Sequence, residues 1–153
     1  LVVVAIIGIL AAVGVVAYNG YTNSAKINAS KSNHANVVKY IAAEIQKCNI
    51  GEDDAMGGEL NCTTFNSASA SDKADAVVTA AIAALADFKN PYSTGNSAVR
   101  DSDTAHAAKA DMGYVNLDVG TGDASDTITV TTCFQNDCAA STDDVVNTIE
   151  VAE

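Results

Sequence analysis

The chain has 153 residues, of which 48% are hydrophobic, and its 19 acidic residues against eight basic ones give a formal net charge of −11. This apolar content excludes a disordered chain, and the length is that of about one domain. The acidic balance argues against a nucleic-acid-coating surface, because binding phosphates requires a basic stripe. A polytopic membrane protein is excluded because only one uncharged apolar run reaches spanning length.

The charge is unevenly distributed along the chain. Residues 1–50 contain four lysines and one acid, Glu44, for a net charge of +3, whereas the remainder carries a net charge of −14. The four lysines are Lys26, Lys31, Lys39 and Lys47. This split predicts an attraction between the basic segment and the acidic body, within one molecule or between copies.

Residues 1–18 form an uninterrupted apolar run, LVVVAIIGILAAVGVVAY. Eleven of these 18 residues are Leu, Ile or Val, which together favour membrane insertion by roughly 5 kcal/mol. As a helix the run covers about 27 Å, slightly less than a hydrocarbon core. A cleaved signal peptide is disfavoured because no convincing cleavage site follows the run, and a buried strand is disfavoured by its length.

The apolar run continues into a segment of helical periodicity. The stripe consists of Ile27, His34, Val38, Ile41, Ile45 and Cys48. The spacing predicts one helix from near Leu1 to about Cys48, ended by Asn49 and Gly51, with the lysines off the stripe. The first half is apolar on all sides and must be surrounded by lipid or by other helices, whereas the second half packs on its own domain.

The N-terminal segment resembles that of bacterial type IV pilins. The resemblance covers residues 3–12 (VVAIIGILAA), followed by Ala17, Tyr18 and Tyr21. It implies a structural subunit of a helical surface filament, whose apolar helix serves first as a membrane anchor and then as the filament core. The long helix and the paired cysteines extend the resemblance more loosely.

The chain also departs from the pilin pattern. Aligned on residues 3–12, it begins several residues later than mature pilins, so the family's methylated phenylalanine and its glutamate have no counterpart here. Val16 stands where the family often has a proline. Gly8 and Gly14 remain, and glycine costs about 1 kcal/mol in a helix interior. Any loss of helix in a filament is therefore expected between Gly8 and Val16.

The rest of the chain predicts a small head. Residues 50–71 are expected to form a loop, after which Ser69 or Ser71 caps a helix that ends at Asn90-Pro91. Its apolar stripe is Ala74, Val77, Val78, Ala81, Ile82, Leu85 and Phe88. Residues 92–112 look irregular, with a short helix around 103–110.

Three strand candidates follow, near residues 115–119, 128–134 and 145–151. Together these elements predict an α+β fold. A long N-terminal spine helix packs on an antiparallel sheet of three to four strands, with one further short helix. Residues 1–24 are expected to be the membrane anchor and filament core, and residues 25–153 the globular head with the amphipathic half of the helix.

Four cysteines in an exported chain predict two disulfides, for which three connectivities exist. Local spacing favours Cys48–Cys62 and Cys133–Cys138. The alternative is a zinc site, which is disfavoured because Cys48 and Cys62 lack the spacing of zinc-binding cysteine pairs.

For the remaining candidate functional residues, a structural role is favoured over a chemical one. His34 is expected to be packing on the helix stripe. His106 lies near Asp101, Asp103 and Asp111, which favours a solvated acidic loop over a metal site. Calcium at Asp118, Asp123 and Asp126 is an alternative, but these residues do not match an EF-hand. With no nucleophile motif or phosphate loop, we expect no enzyme activity, no cofactor and no metal.

The sequence therefore predicts a filament subunit that assembles with copies of itself, using pilus assembly machinery in the inner membrane, and binds no nucleic acid directly. The predicted filament core consists of Val3, Val4, Ile6, Ile7, Gly8, Ile9, Leu10, Val13 and Gly14. The predicted inter-subunit cations are Lys26, Lys31, Lys39 and Lys47. The subunit is expected in the inner membrane before assembly and in an extracellular filament afterwards. The alternatives are a pseudopilin of a type II secretion system and a membrane-anchored binding module.

Overall fold

The computed structural model describes residues 1–101, 109–122, 125–138 and 141–151. Its helices are α1 (Val2–Asn49), α2 (Cys62–Ser67) and α3 (Ala70–Ala84). Its strands are β1 (Asp54–Ala55), β2 (Leu60–Asn61), β3 (Lys89–Asn90), β4 (Ser93–Ser97), β5 (Val99–Asp101), β6 (Val115–Val119), β7 (Thr127–Cys133) and β8 (Asp144–Glu150). The fold is α+β as predicted, and a long apolar N-terminal helix packed on a sheet is a pilin-like architecture.

The spine helix α1 is continuous over 48 residues, including the glycine-containing stretch near its start. Its buried residues all lie in the second half: Ser30, His34, Val37, Ile41, Glu44, Ile45 and Cys48. The predicted stripe and the predicted helix end are confirmed, although Ile27 and Val38 are only partly buried. Gly51 follows the helix with a φ of +94°, a conformation that glycine adopts without steric cost.

The main sheet has four strands in the order β5-β6-β7-β8. β6, β7 and β8 form the predicted antiparallel meander, with Val115 opposite Thr132 and Thr127 opposite Glu150. β5 pairs with β6 in parallel, with Val99 opposite Val115. The predicted antiparallel strands are thus confirmed, and β5 adds a fourth strand in parallel, where a long connection takes the place of a hairpin.

The segments on either side of α3 also differ from the predicted loops. The expected loop at 50–71 contains the β1–β2 hairpin and α2, whose first turn is capped by Asn61 accepting a hydrogen bond from the Thr64 amide. Ser69 caps α3, which ends at Ala84, before the predicted stop. The expected irregular segment at 92–112 contains β4 and β5. Most of the short helix expected at 103–110 falls outside the described residues.

The core lies between the second half of α1, α3 and one face of the sheet. Ile41 from α1, Val77 from α3, and Leu117 and Ile128 from the sheet are all completely buried. Along β7, burial alternates with the pleat, so that one face of the strand meets the helices. The head is thus held on one side of α1 only.

Covalent and polar contacts fix the end of α1 to the head. The disulfides are Cys48–Cys62 and Cys133–Cys138, with Cα atoms 4.8 Å and 5.5 Å apart, which is the pairing that local spacing favoured. Glu44, only 7% exposed, accepts hydrogen bonds from the Met56 amide and the Lys47 ammonium. Burial by itself raises the pKa of Glu44, but the two hydrogen bonds outweigh it and hold this pKa below its usual value.

Replacing Cys48 and Cys62 together by serine should lower the free energy of unfolding of the head by about 3 kcal/mol, because their disulfide closes a loop of about 15 residues. Urea denaturation in neutral detergent measures this change. Cys133→Ser with Cys138→Ser is the matched control, and its shorter loop predicts a loss of about 2 kcal/mol. Peptide mapping without reductant checks the pairing, and a Cys48–Cys138 peptide would contradict it.

Candidate functional site: the exposed apolar helix

The main apolar surface of the described chain is the first part of α1. Every residue from 1 to 21 is exposed, and the large apolar side chains of residues 2–16 expose between 51% (Ile6) and 74% (Val16) of their surface. This helix is long and apolar enough to cross a membrane, judged by length and composition. Soluble monomers rarely expose contiguous apolar patches of more than a few hundred Å². The surface therefore calls for lipid or protein around it.

The predicted filament-core residues all lie on this surface: Val3, Val4, Ile6, Ile7, Gly8, Ile9, Leu10, Val13 and Gly14. A Cβ atom built on Gly8 or Gly14 would have nothing within 4 Å outside the neighbouring helix backbone. The structure thus brings these residues together on one helix but not against their own head. Their surroundings have to come from outside the subunit.

A shallow groove on this helix has the shape that helix packing requires. It is lined by Ala12, Val13, Val16 and Ala17, which occupy positions i, i+1, i+4 and i+5. Ala12 and Val16 lie on one i±4 ridge and Val13 and Ala17 on the next, and the groove between two such ridges can receive a ridge of side chains from a facing helix. Gly8 lies one turn before Ala12, and small residues four apart let helix backbones approach closely in an apolar environment. The groove therefore suits a second copy of the same helix.

Two of the four helix lysines lie over aromatic rings of the head. The Lys31 ammonium is 4.0 Å from the centre of the Phe134 ring, and the Lys26 ammonium is 5.5 Å from that of Tyr92. Such contacts contribute about 0.5–1 kcal/mol at exposed sites. They orient both cations against the head of their own subunit.

The other two helix lysines differ from each other in their contacts. Lys47 forms an ion pair with Glu44 one turn earlier. Among the residues that the structure describes, Lys39 makes no ion pair, hydrogen bond or ring contact, and its side chain is exposed. Of the four predicted inter-subunit cations, Lys39 is thus the one with its charge entirely available to a neighbour.

His34 links the middle of α1 to the two neighbouring strands. It is 2% exposed, with Nδ1 at 3.0 Å from Thr132 Oγ1 and Nε2 at 2.8 Å from Asn147 Oδ1. An amide oxygen only accepts, so Nε2 carries the proton and Nδ1 accepts from the Thr132 hydroxyl. Burial lowers the pKa of His34, and the hydrogen bond to Asn147 offsets part of that effect. The predicted packing role is therefore joined by a polar one.

The structure places the alternative metal residues as follows. Sγ atoms of Cys133 and Cys138 lie within 4.8 Å of an Asp144 oxygen, but the two sulfurs form a disulfide and offer no thiolate to zinc. Asp118 lines a cavity of about 530 Å³ with Asp75 and Asp101. Gly120 and Thr121, which follow Asp118 in the chain, also line this cavity, whereas Asp126 does not. Asp123 and His106 lie outside the described residues.

Sequence reasoning missed a basic cleft where α1 meets the head. It is lined by Lys26 and by Lys109, which are far apart in the sequence. No local motif joins them, because Lys109 is brought to α1 by the turn that precedes β6. The one available signal is that Lys109 is among the few basic residues of an acidic head.

No protein-family model, no curated protein and no solved structure matches this chain. The description of its architecture as pilin-like therefore rests on its own fold alone.

The stability of the head should fall as the pH drops below about 6.5, the ordinary pKa of histidine. Because the folded-state pKa of His34 is lowered, the unfolded chain binds more protons in this range and stability is lost progressively through the lowered pKa. Urea denaturation between about pH 5 and pH 7.5 measures the loss. His34→Gln should remove the dependence in this window, whereas His106→Gln should keep it. An unchanged slope in His34→Gln would show that other groups cause it.

Proposed function

We propose that the chain is the structural subunit of a type IV pilus, a helical surface filament assembled through the first part of α1. The observation that carries this proposal is a helix that is exposed over residues 1–21 and apolar on every side over residues 1–18, continuous with a half that packs on an α+β head. The resemblance of the same residues to type IV pilins supports it. The chain then acts by assembly, without enzyme activity, cofactor or nucleic acid.

The mechanism is an exchange of apolar surroundings. Before assembly, α1 anchors the subunit in the inner membrane. During assembly, its apolar half leaves lipid and enters a bundle of identical helices. Lipid and bundle are similarly apolar, so packing and polar contacts decide the balance, as they do between membrane helices. Work would come from the assembly machinery in the inner membrane. The two disulfides support a head on the oxidising side of that membrane.

The groove at Ala12 offers a way to separate anchoring from assembly. Ala12→Leu fills the groove with an isopropyl group, and overpacking costs about 1–3 kcal/mol. The same change leaves the helix as apolar as before, so membrane insertion should persist. Ala12→Asp places a charge in the helix and makes membrane insertion less favourable by about 3 kcal/mol. This variant should therefore lose both membrane anchoring and filament assembly.

The experiment expresses the full chain together with a pilus assembly machinery and examines sheared surface material by negative-stain electron microscopy. We expect filaments from the unchanged chain, few from Ala12→Leu, and Ala12→Leu subunits still in the membrane fraction. Ala35→Leu, on an exposed position of the head-packed half, is the matched control and should assemble normally. Short periplasmic assemblies without surface filaments would favour a pseudopilin. Subunits that stay monomeric after detergent removal would favour an isolated binding module.

Charge contributes a second test of assembly. Lys39→Glu should reduce filament yield while leaving the monomer folded, because the free cation faces the acidic heads of neighbouring subunits. An exposed pair contributes only about 0–1 kcal/mol, but it repeats at every subunit. Lys89→Glu makes the same charge change on the head and is the control. Normal filaments from Lys39→Glu at both low and high salt would show that apolar packing alone directs assembly.

A further inference from the structure

A cleft lies where the apolar part of α1 ends and the head begins. Its volume is about 630 Å³, and its polar lining comes from Thr22, Asn23 and Lys26 of α1 and from Lys109 and Asn136 of the head. The Tyr92 ring forms one wall, with the Lys26 ammonium 5.5 Å from its centre. The cleft therefore joins groups from two distant parts of the chain around one space.

The cleft carries positive charge in a chain whose net charge is −11. Among the described residues, neither Lys26 nor Lys109 has a carboxylate within ion-pair distance. Two ammonium groups around one space repel each other unless an anion lies between them. The charge pattern thus selects an anionic occupant.

The neighbouring polar groups define how many donors face that occupant. The Thr22 hydroxyl donates to the Asn19 carbonyl, and the Asn136 amide donates to Asp143, so both are engaged. The Asn23 amide has no hydrogen bond within the described residues. Lys26, Lys109 and Asn23 therefore supply the free N–H donors, which suits the several acceptor oxygens of a phosphate group.

The position of the cleft along α1 matches the headgroup level of a membrane. Tyr18 and Tyr21 end the apolar stretch and are 68% and 76% exposed. Tyrosines at the ends of membrane helices sit at the level of the lipid headgroups. Lys26 lies five residues beyond Tyr21, about 7.5 Å along the helix axis. Its flexible side chain spans the rest of the distance to the phosphate layer.

We propose that this cleft binds the phosphate group of an anionic phospholipid headgroup, with Lys26 and Lys109 neutralising it and Asn23 donating a hydrogen bond. The proposal rests on the membrane-anchored state of the proposed function. The bound headgroup ties the head to the membrane surface through Lys109 as well as through α1. Entry into a filament exchanges the headgroup for groups of neighbouring subunits.

The test uses the full chain, labelled with ¹⁵N, in a neutral maltoside detergent. Dioctanoylphosphatidylglycerol is titrated while the amide signals of Asn23 and Lys109 are followed by NMR. We expect saturable shifts at both residues. Each lysine near an anionic lipid surface contributes about a fivefold gain in affinity, so Lys26→Gln with Lys109→Gln should weaken binding about 25-fold. Lys73→Gln with Lys89→Gln removes the same charge from head lysines that do not line the cleft and should bind as the unchanged chain does.

Two further ligands distinguish the source of the phosphate. Dioctanoylphosphatidylcholine has the same acyl chains without net charge, and equal binding of both lipids would overturn the proposal. Inorganic phosphate that shifts the same signals with the same affinity would show that the cleft takes a soluble anion, which overturns the headgroup as its occupant. Undiminished binding by the Lys26/Lys109 variant would also overturn it. The monomer suffices for this measurement, so its failure leaves filament formation unaffected, and a chain that forms no filaments can still pass it.

Discussion

The structure depends on one constraint: an α-helix that is apolar on every side cannot be covered by a head that packs on one side of it. Residues 2–21, the first part of α1, are all exposed within the subunit. The second half of the same helix is buried along a single stripe from Ser30 to Cys48. One continuous helix thus has to be covered by surroundings outside the subunit in its first half and to pack on the core of its own head in its second half. This division makes the helix a connector between the two.

The attachment of the head to α1 reflects that division. His34 bonds to the sheet, Glu44 to the segment that follows β1, and Cys48 to α2. These residues lie on one face of the helix over about four turns. A rigid attachment matters for the proposed filament, because the exchange of lipid for other helices changes the hydrophobic free energy little. Weak contacts between heads can then determine register only if each head holds a fixed orientation relative to its helix.

The features predicted correctly from the sequence are those that repeat locally. The stripe around Ile41 gave the helix, alternation along residues 128–132 gave β7, and spacing favoured Cys133–Cys138 among the cysteine pairs. The parallel pairing of Val99 with Val115 had no such signal, because β5 has three residues and its partner follows a long connection. The Asn61 cap of α2 was readable, since asparagine is a preferred N-cap residue. The sequence CTTFNS after it offers too few apolar positions to show a period.

The candidate site also has a part that the sequence predicts and a part that depends on the tertiary fold. Its apolar half was readable from composition alone, because residues 1–18 contain no charged side chain. The different contacts of the lysines could not be predicted from the sequence. Lys26 and Lys31 contact the rings of Tyr92 and Phe134, and only the tertiary fold brings these rings to α1. Equal spacing along a helix does not imply equal roles.

These lysine contacts bear on how subunits with strongly acidic heads would assemble in the proposed filament. Heads that each carry many acids repel one another, but at physiological salt the repulsion is screened beyond about 8 Å. Only charges close to an interface therefore contribute to assembly.

If all four helix cations were free, any acidic surface would attract the spine about equally, and many registers would compete. Ring contacts hold Lys26 and Lys31 against the head of their own subunit, and Lys47 pairs with Glu44. Lys39, the helix lysine with no such contact among the described residues, would then favour a register that brings one acidic group of a neighbour to one place on the helix. Apolar packing supplies the contact area of the proposed filament, and this one charge supplies part of its specificity.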